Sequence, residues 1–295
     1  MSAVLEPFDI HGVVRLSSSA EHPHPHVAVF GSIHGNEPCG LRAIERLRNQ
    51  VQGGSLPLHR GTLYLVHGNP RASEVHERHT RGGTDLNRLF DYRFTTDLPS
   101  AYWTYEHYRA MELKPLLDSV DALFDLHSTT APSPAFAIAS PLPASQRMAD
   151  ALGLAYVTHG WDGPGLLGDR VVIAPLTLRG MPAVSVECGQ HEQLEAADVA
   201  YACLRRGLDY LGVLPWPEKT APIACTRLQL RAAMKRPSAS FKFVRPLSSM
   251  QQMAAGEVIG RDEDITLSVH RNCYVIMPND GVEVGEDMIY IAQPL

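Results

Sequence analysis

The chain has 295 residues, of which 44% are hydrophobic and 20% charged, with a formal net charge of -6. This is an ordinary globular composition with enough chain for one large core, or a large and a small one. No basic block stands out, which argues against nucleic acid and anionic membrane as partners.

Residues 1–14 lack a basic stretch followed by an apolar run, so no signal peptide is expected, and no apolar segment reaches the length of a membrane span. Five scattered cysteines, Cys39, Cys188, Cys203, Cys225 and Cys273, form neither a metal spacing nor a disulfide framework, and read as reduced cytoplasmic thiols. Fourteen histidines invite a search for a metal site.

Along the chain, His22, His24 and His26 alternate with prolines, which forbid regular helix and favour an extended lead-in. Residues 27–32 read as a buried strand. Residues 38–52 read as a helix, with Leu41, Ile44, Leu47 and Val51 on one face and Pro38 in the first turn. Residues 63–67 form the next strand. Residues 101–120 have helical spacing with a break expected near Pro115. Strands follow at 122–127, 135–139, 155–158 and 183–187, with helices at 144–152 and 194–213. Strands alternating with helices predict an α/β fold with a mixed, largely parallel sheet flanked by helices. After Leu214 a proline-rich stretch reads as a linker. Short β-type runs at 227–230, 240–244, 265–269, 274–277 and 288–291 then predict a small C-terminal all-β domain. The expected division is 1–215 and 220–295.

Four polar signals sit at strand ends. His34 and Glu37 lie where an apolar strand passes through a glycine-containing loop into a helix, so both side chains can converge on one point. A histidine and a carboxylate suit zinc, although a surface histidine and a dipole-placed glutamate would give the same pattern. His127 closes the apolar strand Ala122–Leu126, at the carboxyl end where open α/β sheets bind ligands. Asp125, two residues earlier, shares its face and could orient the imidazole. Asn87 and Arg88 make a carboxylate clamp, with Arg71, Arg78 and Arg81 ahead of them. Glu187 ends another apolar strand, where a buried carboxylate calls for a purpose such as a general base.

Together, His34-Gly-Asn-Glu37, Asp85-Leu-Asn-Arg88, Asp125-Leu-His127 and Glu187 resemble the succinylglutamate desuccinylase/aspartoacylase family of zinc carboxypeptidase-like enzymes, over residues 27–215 and with a trailing β domain. The resemblance implies one zinc ion per chain held by His34, Glu37 and His127. It makes Glu187 the general base and Arg81 the group that polarises the scissile carbonyl, a match that needs a one-residue gap and has Arg78 as competitor. It implies Asn87, Arg88 and Arg179 as substrate-binding residues, Arg179 lying out of register. The family's site-closing tyrosine has no counterpart at 280–285, with Tyr274 and Tyr290 on either side.

The implied reaction is hydrolysis of a small N-acyl amino acid by metal-activated water, in a cytoplasmic enzyme compatible with a homodimer. Three rivals stand beside it. One is a zinc carboxypeptidase acting on short peptides. The second is a cysteine hydrolase using Cys188 and His191, although Cys188 should face away from Glu187. The third is a non-catalytic metal-binding protein of the same fold.

Overall fold

Strands buried on both faces need nearly continuous apolar runs, and the runs at 27–30, 63–66, 122–126 and 183–186 meet that need. The computed structural model describes residues 4–7, 9–18, 24–91, 96–163, 166, 168, 170–216 and 224–295, leaving His22 and most of the expected linker outside. The first half contains β1 (Val4–Pro7), β2 (Val13–Ser17), β3 (His26–Gly31), α1 (Pro38–Gln52), β4 (Thr62–His67), α2 (Pro70–Val75) and α3 (Tyr105–Ser119). Then come β5 (Ala122–Thr129), β6 (Phe136–Ala139), α4 (Pro143–Ala151), β7 (Tyr156–His159), α5 (Ala174–Leu178), β8 (Ala183–Gln190) and α6 (Glu195–Tyr210). The C-terminal strands are β9 (Thr226–Lys235), β10 (Lys242–Phe243), β11 (Gln251–Met253), β12 (Val258–Arg261), β13 (Thr266–Ser268), β14 (Cys273–Ile276) and β15 (Asp287–Pro294).

Twelve of these strands form one mixed sheet in the order β1-β2-β4-β3-β5-β8-β6-β7-β9-β15-β14-β11. Its centre, β4-β3-β5-β8, is parallel, and the first and last pairings are antiparallel. The sheet passes from β7 directly into β9, so the C-terminal region continues it, while β10, β12 and β13 make a separate three-stranded sheet. Strand alternation sorts side chains between two cores. Val27, Val29, Phe124 and Val184 pack with α1, α4 and α6 on one face. Ala28, Phe30, Leu123 and Ala183 pack with α3 and α5 on the other.

The break expected at Pro115 does not occur, and α3 runs through it. Leu113, Leu116 and Leu117 are fully buried. At about 1.5–3 kcal/mol each, they exceed the roughly 3 kcal/mol that an interior proline costs. The helix begins later than its spacing predicts, at Tyr105, after a single 3-10 turn at Ser100–Tyr102. The antiparallel edge strands β1 and β2 carried no clear periodic signal in the sequence.

The first turn of α1 rests directly on β3 and β5. A Cβ on Gly40 would stand 2.7 Å from both Cβ and O of Leu126, and one on Gly35 only 2.0 Å from the carbonyl carbon of Ala72. These hydrogen-sized side chains let α1 sit against β3 and β5 and the 32–37 turn sit against α2. Gly40→Ala is expected to push α1 off β5 and destabilise the fold by about 1–3 kcal/mol, read as a lower denaturant midpoint. An unchanged midpoint would mean that the helix shifts without cost.

Candidate metal centre and active site

The turn between β3 and α1 carries two of the predicted ligands. Ser32 leaves the strand at φ 52° and its hydroxyl donates to the Glu37 carbonyl at 3.1 Å, which closes the turn. Glu37 then stands at the N-cap of α1, with Pro38 opening the helix. His34 Nδ1 lies 2.8 Å from Glu37 Oε1, and His127 Nδ1 lies 2.8 Å from Glu37 Oε2. The Ser128 backbone N–H donates to the same Oε2 at 3.1 Å. One donor atom from each of His34, Glu37 and His127 falls within 4.8 Å of the other two, and all three residues are buried.

The outer nitrogen of each imidazole meets a second carboxylate. His127 Nε2 is 2.6 Å from Asp125 Oδ2, and His34 Nε2 is 3.1 Å from Asp85 Oδ1. Two imidazoles, each presenting one nitrogen to a shared point and anchored by a carboxylate at the other, are what a zinc site of two histidines and a glutamate requires. The donor set therefore fits the metal implied by the resemblance. Asp125 is where strand alternation predicts it, and the Ser185 hydroxyl also donates to it at 3.1 Å. Asp85 was legible only as part of the Asp-Leu-Asn-Arg run.

Burial opposes charge on Glu37, but the imidazoles of His34 and His127 outweigh it and hold the carboxyl well below its usual range. Burial likewise disfavours His127 as a cation, yet Asp125 and Glu37 raise it well above an ordinary histidine.

Glu187 reaches the same point from β8. It is the cross-strand neighbour of His127, so both side chains leave the sheet on one face. Glu187 is 6% exposed, and its Oε2 is buried without a hydrogen-bond partner among the described residues. Burial pushes its carboxyl well above the usual range; His127 opposes the rise and the nearby Glu37 adds to it. Such a poised carboxylate beside a metal-ligand set is suited to moving a proton.

A cavity of about 800 Å3 joins these groups to Arg78, Asn87 and Arg88. Arg78 donates to Asp85 Oδ2 from Nε at 3.0 Å and from Nη2 at 2.8 Å, and its Nη1 lies 3.8 Å from Glu37 Oε1. Asn87 accepts the Val172 N–H on Oδ1 at 2.8 Å and has Nδ2 3.4 Å from His127 Nε2. Arg88 donates to the Asn87 carbonyl at 2.8 Å. Glu106, fully buried on α3, accepts the backbone N–H groups of Thr80 at 2.8 Å and Thr84 at 3.2 Å and so pins the loop that presents Arg78 and Asp85. No sequence signal singled out Glu106.

The other arginines lie elsewhere. Arg81 is exposed and does not line the cavity. Arg179 lies at the end of α5, where its guanidinium donates to the Leu117 carbonyl and, at 2.9 Å, to that of Val120, bracing the end of α3. Arg71 lies over the Tyr105 ring at 4.5 Å. Of the two β-region tyrosines, Tyr290 lines the cavity and Tyr274 does not. Cys188 is 2% exposed, with its contact to Cys39 and then burial pushing its thiol well up, while His191 is bonded to Ser128 Oγ at 2.9 Å. These two residues form no nucleophile–base pair.

Residues 23–202 match the Succinylglutamate desuccinylase/Aspartoacylase catalytic domain family, and the chain belongs to that family. Aspartoacylase of Rattus norvegicus is 36% identical over 123 residues, 39% of this chain and 37% of that protein. The N-acyl-aromatic-L-amino acid amidohydrolase (carboxylate-forming) A of Danio rerio is 36% identical over 113 residues, 35% of this chain and 33% of that protein. The matched segment thus spans about a third of these curated relatives. The crystal structure of succinylglutamate desuccinylase from Vibrio cholerae superimposes with a TM-score of 0.79 at 18% identity, covering 100% of this chain and 91% of that one. At that identity the likeness is one of fold.

Replacing either outer carboxylate, by Asp85→Asn or Asp125→Asn, is expected to weaken zinc binding about 10–100-fold in chelator-competition titrations. Equal affinity in both variants and the parent would show that the imidazoles hold their orientation unaided.

Proposed function

We propose that this chain is a zinc-dependent deacylase that hydrolyses the amide bond of a small N-acyl amino acid. The observation that carries the reading is the partnerless, buried Glu187 Oε2 beside the three convergent donors of His34, Glu37 and His127. A metal-binding protein has no use for a fourth, uncommitted carboxylate there. Family membership supports the same class of reaction.

In this reading His34, Glu37 and His127 hold zinc, which when bound polarises a carbonyl oxygen and lowers the pKa of bound water. Glu187 takes a proton from the attacking water and returns it to the leaving amine. We assign oxyanion stabilisation to Arg78, supported by its place in the cavity lining, which Arg81 does not share; loss of one such donor typically costs about 10²–10³ in kcat. Asn87 and Arg88 hold the substrate carboxylate and place the amide. Residues 1–215 are the catalytic unit in this reading, and residues 220–295 cover the site, as the cavity-lining positions of Met277, Asn279 and Tyr290 support. No helix among the described residues is long and apolar enough to cross a membrane. The free thiols of all five cysteines suit a reducing, cytoplasmic compartment.

Zinc-loaded protein should release a free amino acid from at least one member of an N-acyl amino acid panel and lose that activity to a chelator. Glu187→Gln should abolish turnover while retaining zinc, and Arg78→Met should lower kcat about 10²–10³-fold. Near-normal rates in Glu187→Gln would overturn the mechanism. Cleavage of short peptides in preference to acyl amino acids would assign the chain to carboxypeptidase chemistry instead.

A further inference from the structure

The strands that carry His127 and Glu187 pair residue for residue up to that point and then fall out of step. His127 stands opposite Glu187, but Thr129 stands opposite Gln190, so β8 gains one residue on β5. Gly189 lies in that extra stretch at φ 125°, a backbone conformation that L side chains rarely adopt. A bulge re-aims side chains, and bulges are common beside active sites. Here the shift lays His191 along the segment that follows His127. The His191 backbone N–H donates to the Thr129 carbonyl at 3.0 Å, and the Gln190 side-chain amide donates to the Thr130 carbonyl at 3.0 Å.

Both ring nitrogens of His191 meet hydroxyls of the same segment. Nδ1 is 2.9 Å from Ser128 Oγ, and Nε2 is 3.3 Å from Thr130 Oγ1. Ser128 is 4% exposed, and its backbone joins it to the metal-ligand set: its N–H donates to Glu37 Oε2, the oxygen that also faces His127 Nδ1. A continuous run of hydrogen bonds thus leads from Glu37 through Ser128 to His191. A serine hydroxyl is two bonds from its own Cα, so a held hydroxyl limits how far the adjoining N–H can swing.

We propose that His191 is a positioning residue for the metal centre: its Nδ1 holds the Ser128 hydroxyl, which aims the Ser128 N–H at Glu37 and fixes the end of β5 behind His127. This assignment rests on the reading of His34, Glu37 and His127 as zinc ligands, and gives His191 neither a substrate contact nor a proton to move. Partners outside a ligand set typically carry about 10–100-fold in metal affinity, and one that acts through a backbone N–H belongs at the lower end. Side-chain shape separates the two ring contacts. An asparagine amide reaches the position of Nδ1, and a glutamine amide that of Nε2.

The test measures zinc affinity by chelator competition, without denaturant, in the parent, His191→Ala, His191→Asn, His191→Gln, Ser128→Ala and the double variant Ser128→Ala/His191→Ala. Denaturant midpoints are taken separately on the zinc-free proteins. His191→Ala, His191→Gln and Ser128→Ala should each weaken zinc binding about tenfold. The double variant should lose no more than either single one, because the two side chains act as a unit. His191→Asn should stay near the parent. Parent affinity in His191→Ala, additive losses in the double variant, or affinities that merely follow the zinc-free midpoints across the set overturn the proposal. A parent chain that takes up no zinc removes the metal-centre reading and the proposal with it, whereas a zinc-binding parent with unmoved variants removes the proposal alone.

Discussion

A carboxylate buried between two imidazoles governs the architecture of this protein. Glu37 is 2% exposed, and an ionised side chain at that depth is costly unless it is paired and hydrogen-bonded. His34, His127 and the Ser128 N–H supply those partners. They can do so only because β3, β5 and α1 approach at glycine-permitted distances. The positive φ of Ser32 serves the same end by turning the chain back within five residues. Such strain is tolerated where the surroundings over-determine it.

Charge alternates outward from that centre. Glu37 faces the imidazoles, the imidazoles face Asp85 and Asp125, and Asp85 faces Arg78. Each layer lowers the cost of burying the one inside it, so the site is an extension of the core's electrostatics. Glu106 and the fully buried Arg109 hold the scaffold behind it. Arg109 donates to the carbonyls of His67 and Gly68 at 2.8 Å each, fixing the end of β4 and the start of the loop that brings Arg78 and Asp85 forward. Glu187 Oε2 is buried and unmatched among the described residues, as is Asp125 Oδ1. What sets Glu187 Oε2 apart is its position, on a carboxylate outside the triad that lines the cavity beside the metal-ligand set.

The C-terminal strands contribute shape and charge. Because β9 extends the main sheet beside β7, the turn before β15 is delivered over the strand ends, bringing Met277, Asn279, Glu286 and Tyr290 to the cavity. The candidate metal ligands and Glu187 come from the parallel centre of the sheet. Part of the outer wall comes from residues 277–290, which lie well beyond the metal-ligand residues in sequence, so it can vary without disturbing the metal-ligand set.

The sequence by itself determined the sheet's parallel centre, the flanking helices and the candidate residues His34, Glu37, His127, Asn87, Arg88 and Glu187. Apolar periodicity marks buried elements, and a polar residue ending an apolar strand is conspicuous because burying it is costly. Only the tertiary structure decided which arginine faces the metal-ligand set. Arg71, Arg78 and Arg81 share one polar loop with no periodicity, and the Glu106 contacts that fix its path come from a helix two dozen residues on. Arg179 was assigned by proximity in sequence, yet helix-end carbonyls satisfy its guanidinium. Tyr290 lines the cavity and Tyr274 does not, although the pairs Tyr274–Ala292 and Ile276–Tyr290 put both on one face of the sheet, so it is position along the paired strands that separates them. Asp162 and Glu286 lie far apart in sequence and line one cavity only because β7 and β15 flank the same strand.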